Sequence, residues 1–312
     1  MRLSCFFVLL FVFGSACPLI LQAQNYQRQV ELRSDDDSYL FYGQDKYYTA
    51  GTFLSYSYLA KESTNRKIIR SLEFGQLIFT PYAGNVNEPG RQDRPFAGYT
   101  YIQGSRSYIN AAGRMLKLSA SLGQLGPQSG AEQVQEFVHR ALNLYKPAGW
   151  QYQVQNEIGL QFQADYSMPI TKDKSGTLDI NMINHGSLSN IFCNAATGIL
   201  LRAGRFNDPM HSVAMGAGNL SKQGNIPNEF FFYSKTMLNY VFYDATIQGG
   251  LFNKKSQIVF ESMPFVFSGE FGCQYSYRRW GLSYSIIFKS KELRSIARAD
   301  QYASIHISYR IK

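Results

Sequence analysis

Histidine and cysteine are scarce in this 312-residue chain, with four of each. Cys5 and Cys17 fall in a leader-like segment, so the body of the chain keeps only Cys193 and Cys273. A disulfide between them is permitted after export, but nothing in their spacing demands one. Paired Cys/His metal spacing is absent, as are a G-x-S-x-G elbow, a P-loop and a dinucleotide fingerprint. These gaps leave zinc modules, serine hydrolases of the elbow type and nucleotide enzymes without their usual sequence support. No stretch beyond the N-terminus reaches the ~18 uninterrupted apolar residues of a spanning helix. Any residence in a membrane must therefore come from strands. Internal repeats, low-complexity tracts and linkers are also missing, which points to one domain.

The chain does hold alternation and rings. Aromatic residues make up 15%, mostly Phe and Tyr, as suits a wall crossing a membrane–water boundary. The N-terminus reads Met1-Arg2, then the apolar run Phe6–Phe13, then small residues, which predicts a signal peptide over 1–23 with cleavage after Ala23. The net charge of +9 would suggest nucleic acid in a cytoplasmic protein. For an exported chain it suggests an anionic lipid surface instead, and no nucleic acid is expected as a partner.

Residues 149–166 show the alternation best. Trp150, Tyr152, Val154, Ile158, Leu160, Phe162, Ala164 and Tyr166 share one parity; Gln151, Gln153, Gln155, Glu157, Gln161, Gln163 and Asp165 share the other. Such a strand has one apolar and one polar face, and at roughly 50 Å it is longer than ordinary globular strands. Twelve segments alternate in this way, at 26–36, 47–60, 66–79, 97–110, 114–125, 149–166, 176–187, 196–206, 229–245, 257–277, 279–290 and 301–311. The expected fold is all-β, a twelve-stranded antiparallel transmembrane barrel spanning 24–312, with both termini at the periplasm. Its first three outer connections, 37–46, 80–96 and 126–148, are long, and the third carries a short helix over 131–145. Ala111–Gly113 and the Arg278–Arg279 junction read as tight periplasmic turns. The 207–228 connection breaks the pattern, being long on the side where turns should be short.

Unusual residues gather beside those three outer loops. Ser34-Asp35-Asp36-Asp37 sets three carboxylates in a row, which calls for a cation or a basic partner unless water solvates them. Arg91 and Arg94 are candidate contacts for phosphate or carboxylate, the competing reading being a structural turn. His139 lies at the border of the apolar stripe on the 131–145 helix. On residue type alone, a lone histidine on a short helix is more often a structural hydrogen-bonder than a base.

Taken in order, Ser34-Asp35-Asp36-Asp37…Asp45-Lys46-Tyr47-Tyr48-Thr49-Ala50-Gly51, Thr80-Pro81…Asp93-Arg94-Pro95-Phe96-Ala97-Gly98 and Gly126-Pro127…Gln135…His139-Arg140…Gly149-Trp150…Gln153…Asn156-Glu157 resemble the outer-membrane lipid A 3′-O-deacylases. The resemblance covers most of the chain. It implies a calcium-dependent ester hydrolase of the bacterial outer membrane, acting as a monomer on lipid A or lipopolysaccharide. His139 would be the general base, with Asp35, Thr49 and Ser34 beside it in the catalytic site. Asp35 or Asp36 would hold Ca²⁺. Arg91, Arg94 and Tyr145 would contact substrate. Three positions depart from the family: Ser34 replaces an asparagine, the basic residue soon after Thr80-Pro81 is missing, and Tyr145 replaces a glutamate. Two other readings stand beside the esterase: a catalytically inactive barrel with a structural or lipid-binding role, and a diffusion porin.

Overall fold

A computed structural model describes residues 25–40, 45–222 and 227–312, so the expected leader over 1–23 lies outside it. Twelve antiparallel strands close into one barrel. They are β1 (Arg28–Asp36), β2 (Tyr47–Ser63), β3 (Arg66–Thr80), β4 (Ala97–Asn110), β5 (Met115–Leu125), β6 (Glu157–Lys172), β7 (Leu178–Ser189), β8 (Phe192–Arg205), β9 (Glu229–Asp244), β10 (Phe265–Tyr277), β11 (Trp280–Lys289) and β12 (Asp300–Ile311). Each strand pairs with its neighbours in sequence, and β1 closes on β12 with Arg28 opposite Ile311 and Asp36 opposite Ala303. Closure leaves no unpaired edge, which is the condition for strands to live in hydrocarbon. The expected strand count and closure hold.

Side-chain parity assigns the two faces. Leu54, Leu72, Phe74, Ile102, Leu122, Leu160 and Phe162 are exposed and form part of an apolar outer belt. Their neighbours Phe53, Tyr99, Ser119 and Gln161 are buried in the lumen. Two expected strands are shorter at their starts. The 149–166 alternation becomes strand only at Glu157, because Trp150–Tyr152 forms a 3-10 turn, and β6 then continues to Lys172. The 257–277 segment becomes strand only at Phe265. It follows a short helix, α1 being Ala131–Ala141 and α2 Ala245–Gln248.

The described part of the long 207–228 connection, 207–222, turns inward and plugs the end of the barrel where β1 begins and β12 ends. Its Met210, Met215 and Leu220 pack on lumenal Leu59, Ile69 and Ile109. Lys67, fully buried, donates to the carbonyls of Met210, Gly218 (2.9 Å) and Leu220 (2.7 Å) and pairs with Glu62 at 3.1 Å. Arg202 bridges Asp179 and Ser212 of the plug. A polar cavity of about 650 Å³ lies above, lined among others by Arg33, Glu73, Asp165, His185, Lys235 and Glu270. An aromatic layer with Tyr48, Tyr99, Phe192 and Tyr302 covers it from the other side. Lys67→Met removes the donor of three carbonyls and the cation of Glu62, which keeps its bonds from the Ser221 hydroxyl and the Lys222 amide. Breaking such a buried pair costs about 3–5 kcal/mol. The plug of this variant is expected to become cleavable by protease in detergent while the barrel keeps its heat-modifiable gel shift. An uncleaved plug would show that the apolar contacts hold it alone.

Candidate active site

Helix α1 lies against the outside of the barrel wall. Gln76 and Thr100 have the outward parity of Phe74 and Ile102, and both donate to the carbonyl of Ser129, just before the helix, at 3.0 and 2.7 Å. Outward-facing Gly98 gives the helix its seat: a Cβ there would lie 2.3 Å from the Ala131 Cβ and from the Ser129 Oγ. Ile78, Phe96, Ala131 and Trp150 form the apolar contact beneath. A row one turn apart, Ala131, Gln135 and His139, is buried toward the wall.

At the end of that row, His139 is held on both ring nitrogens. Nδ1 lies 2.7 Å from the Tyr145 carbonyl oxygen, an acceptor only, so Nδ1 carries a proton. Nε2 lies 2.9 Å from Asp45 Oδ2. The same carboxylate oxygen accepts from Gln135 Nε2 at 2.7 Å and from the Tyr145 hydroxyl at 2.8 Å. Gln135 in turn accepts from the Trp150 indole at 2.8 Å, and the Tyr145 ring meets the imidazole edge-on at 4.6 Å. Burial and the Asp45 charge push the Tyr145 hydroxyl well above its ordinary pKa, so it stays a donor.

Strand alternation separates the acidic run. Asp35 points into the lumen, where it accepts from the Tyr48 hydroxyl at 2.9 Å and from Ser304 at 2.6 Å. Asp36, on the opposite face, shares the outer wall with Ser34 and is close enough to couple to the charges of Asp45 and His139. Asp37 begins the next turn, buried, with Oδ2 accepting from the Lys46 amide and Oδ1 without a partner among the described residues. Burial, then the charges of Asp36 and Asp45, push its carboxyl up to about 9. Thr49 is the extra residue of a β-bulge between Tyr48 and Ala50, and its hydroxyl meets that of Thr80 at 2.7 Å. The bulge re-aims a side chain that regular pairing would fix to one face.

The sequence matches the family described as "Outer membrane protein LpxR" over residues 5–311. The chain belongs to the LpxR family. Membership places it in the outer membrane and bears out the resemblance read from the motifs. Among solved structures it is similar to LpxR from Salmonella typhimurium, at 20% identity and a TM-score of 0.73, covering 91% of this chain and 100% of that one. A more distant likeness is the beta domain of the Bordetella autotransporter BrkA, at 9% identity and a TM-score of 0.50, covering 92% and 99%. Both likenesses concern the fold. No curated protein matches by sequence.

In this LpxR-family barrel His139 and Tyr145 meet at Asp45, and Asp36 lies near enough to couple to the charges of Asp45 and His139. Ser34, on the same outward face as Asp36, instead bonds to the Tyr39 hydroxyl, and Thr49 to Thr80. Strand parity sets Asp35 on the lumenal side. Arg94 is also elsewhere: 1% exposed, it donates to Thr246 at 2.9 Å, lies 3.7 Å from Glu292 and covers the Phe79 ring at 4.6 Å. Arg91 sits on an exposed 3-10 turn with Glu88 3.9 Å away. Tyr145 holds the histidine and its acid in position. Sequence reasoning passed over Asp45 and Gln135 as site residues. Gln135 had a signal, one helical turn before His139; Asp45 stood within the quoted motif without anything local to mark its role.

Proposed function

We propose that this protein is an esterase that hydrolyses an acyl or acyloxyacyl ester at the 3′ position of lipid A, in the outer leaflet. The observation that carries the reading is the placement of the Asp45–His139 pair on the outer wall. A lumenal site would serve a solute; a wall site is reached sideways by a lipid. His139 takes a proton from water at Nε2 while Nδ1–H stays on the Tyr145 carbonyl. Water must replace Asp45 at Nε2 for this, and Asp45 can yield because Gln135 and Tyr145 still donate to it. The water oxygen attacks the ester carbonyl carbon. The tetrahedral intermediate then expels the sugar alkoxide, which regains the proton from His139, leaving a free hydroxyl and a fatty acid.

The acidic run supports a calcium ion. Asp37 has an orphaned, buried oxygen and a carboxyl that burial, and then the charges of Asp36 and Asp45, push up. Among the described residues no three His, Cys, Asp or Glu side chains converge as a metal group. Asp36 and Asp37 would thus hold the ion together with backbone, hydroxyl and water oxygens, the mixed shell calcium accepts. Bound there, calcium would stabilise the oxyanion. Arg91 reaches solvent and remains the candidate contact for a lipid phosphate; Arg94 would act through the loops it ties together.

Mass spectrometry of lipid A from cells expressing the protein, with and without a calcium chelator, tests the reading. Loss of one 3′-acyl or acyloxyacyl unit is expected, and chelation should suppress it at least tenfold. Unchanged lipid A around a folded barrel would favour the inactive, lipid-binding reading, for which one contact speaks: Asp45 closes the imidazole Nε2.

A further inference from the structure

Helix α1 divides into three sectors. Ala131, Gln135 and His139 face the wall; Val134, Phe137 and Val138 lie on one flank, all exposed, Phe137 by 68%. The remaining sector holds Gln133, Glu136 and Arg140, centred about 120° from the apolar flank at about 100° per residue. A helix seated on a protein surface in water has no reason to leave such a flank bare. The seat itself explains it. The helix covers Gln76, Ile78, Gly98 and Thr100, and the next outward residues down the same strands are Phe74 and Ile102, both half exposed in the apolar belt. An apolar flank on a helix seated beside that belt fits a lipid-facing surface.

We propose that the Val134–Phe137–Val138 flank of α1 is embedded among the acyl chains of the outer leaflet, so that the helix lies at the membrane interface with its polar flank in water. The occupant is lipid hydrocarbon, as the neighbouring belt indicates. The embedded flank brings acyl chains alongside the helix that carries His139. It rests on the outer-membrane placement and not on the esterase reading, and its test involves no turnover.

The test is spin-label accessibility in full-length barrels reconstituted into phosphatidylcholine–phosphatidylglycerol vesicles. Cys193→Ser and Cys273→Ser clear the two thiols of the barrel, and single nitroxides are placed through Val134→Cys, Phe137→Cys, Val138→Cys, Gln133→Cys, Glu136→Cys and Arg140→Cys. Expected is a helical alternation: labels at the first three positions relaxed by oxygen over a water-soluble nickel chelate, at least threefold more than the last three. Equal access of the nickel chelate to all six would overturn the proposal. So would protection of the apolar flank from both relaxers, which would mean that a second protein copy covers it. The Arg140→Cys and Gln133→Cys labels also report whether the helix stays folded, since their mobility rises if α1 unwinds.

Discussion

His139→Gln is expected to remove nearly all deacylation while the barrel stays folded. Glutamine can replace a hydrogen bond but cannot accept a proton near neutral pH, and a positioned base contributes about 10²–10⁴-fold in rate. The structural loss is small: one bond to the Tyr145 carbonyl and one to Asp45, each worth about 1 kcal/mol net, against ladders that run around the whole barrel. The measurement is the initial rate of fatty-acid release from purified lipid A in detergent, with the heat-modifiable gel shift as the check on folding. Deacylation persisting above a tenth of the wild-type rate would remove His139 from the role of base and point to Asp45.

Gly98→Ala is expected to lower kcat by about 10²-fold without touching any polar group of the site. Its Cβ would stand 2.3 Å from Ala131 Cβ, well inside the 3.5–4.0 Å at which carbons rest. Helix α1 must move off the wall by more than 1 Å, and a misplacement of that size can cost about 10²-fold. The barrel is expected to keep its stability, because the Gly98 backbone still pairs with Ile78. Gly104→Ala in the same strand is the control, since its Cβ would meet nothing within 4 Å. Adding Ser129→Gly and Ala131→Gly to Gly98→Ala should return part of the rate by restoring room. A silent Gly98→Ala would mean that the helix seat does not position the histidine.

The alternating pattern identified the barrel because side-chain parity is a local property: each strand declares its apolar face without reference to its partners. Residues 150–154 show the limit of that logic. They alternate as a strand does, yet Trp150 is drawn into the pocket by Gln135 and the Val154 amide bonds to the Phe96 carbonyl, so the chain leaves the sheet. The plug over 207–222 gave no local sign of its direction, since it is held by Lys67 and Glu62 from distant strands.

By itself the sequence determined twelve strands, the short helix, and His139 with its acidic run and Thr49 as the residues to watch. Only the tertiary structure decided which acid serves which face. Asp35 and Asp36 are neighbours in the chain, and the pairing of β1 with β2 and β12 sends one into the lumen and the other to the wall. Arg94, whose charge suggested a substrate contact, faces Glu292 instead, far along the chain. Asp45 reached His139 in the same way, across two strand hairpins, because the seat on β3 and β4 folds the third outer loop back over the wall toward the first. Parity travels two residues at a time; partnership between loops depends on the closed sheet that carries them.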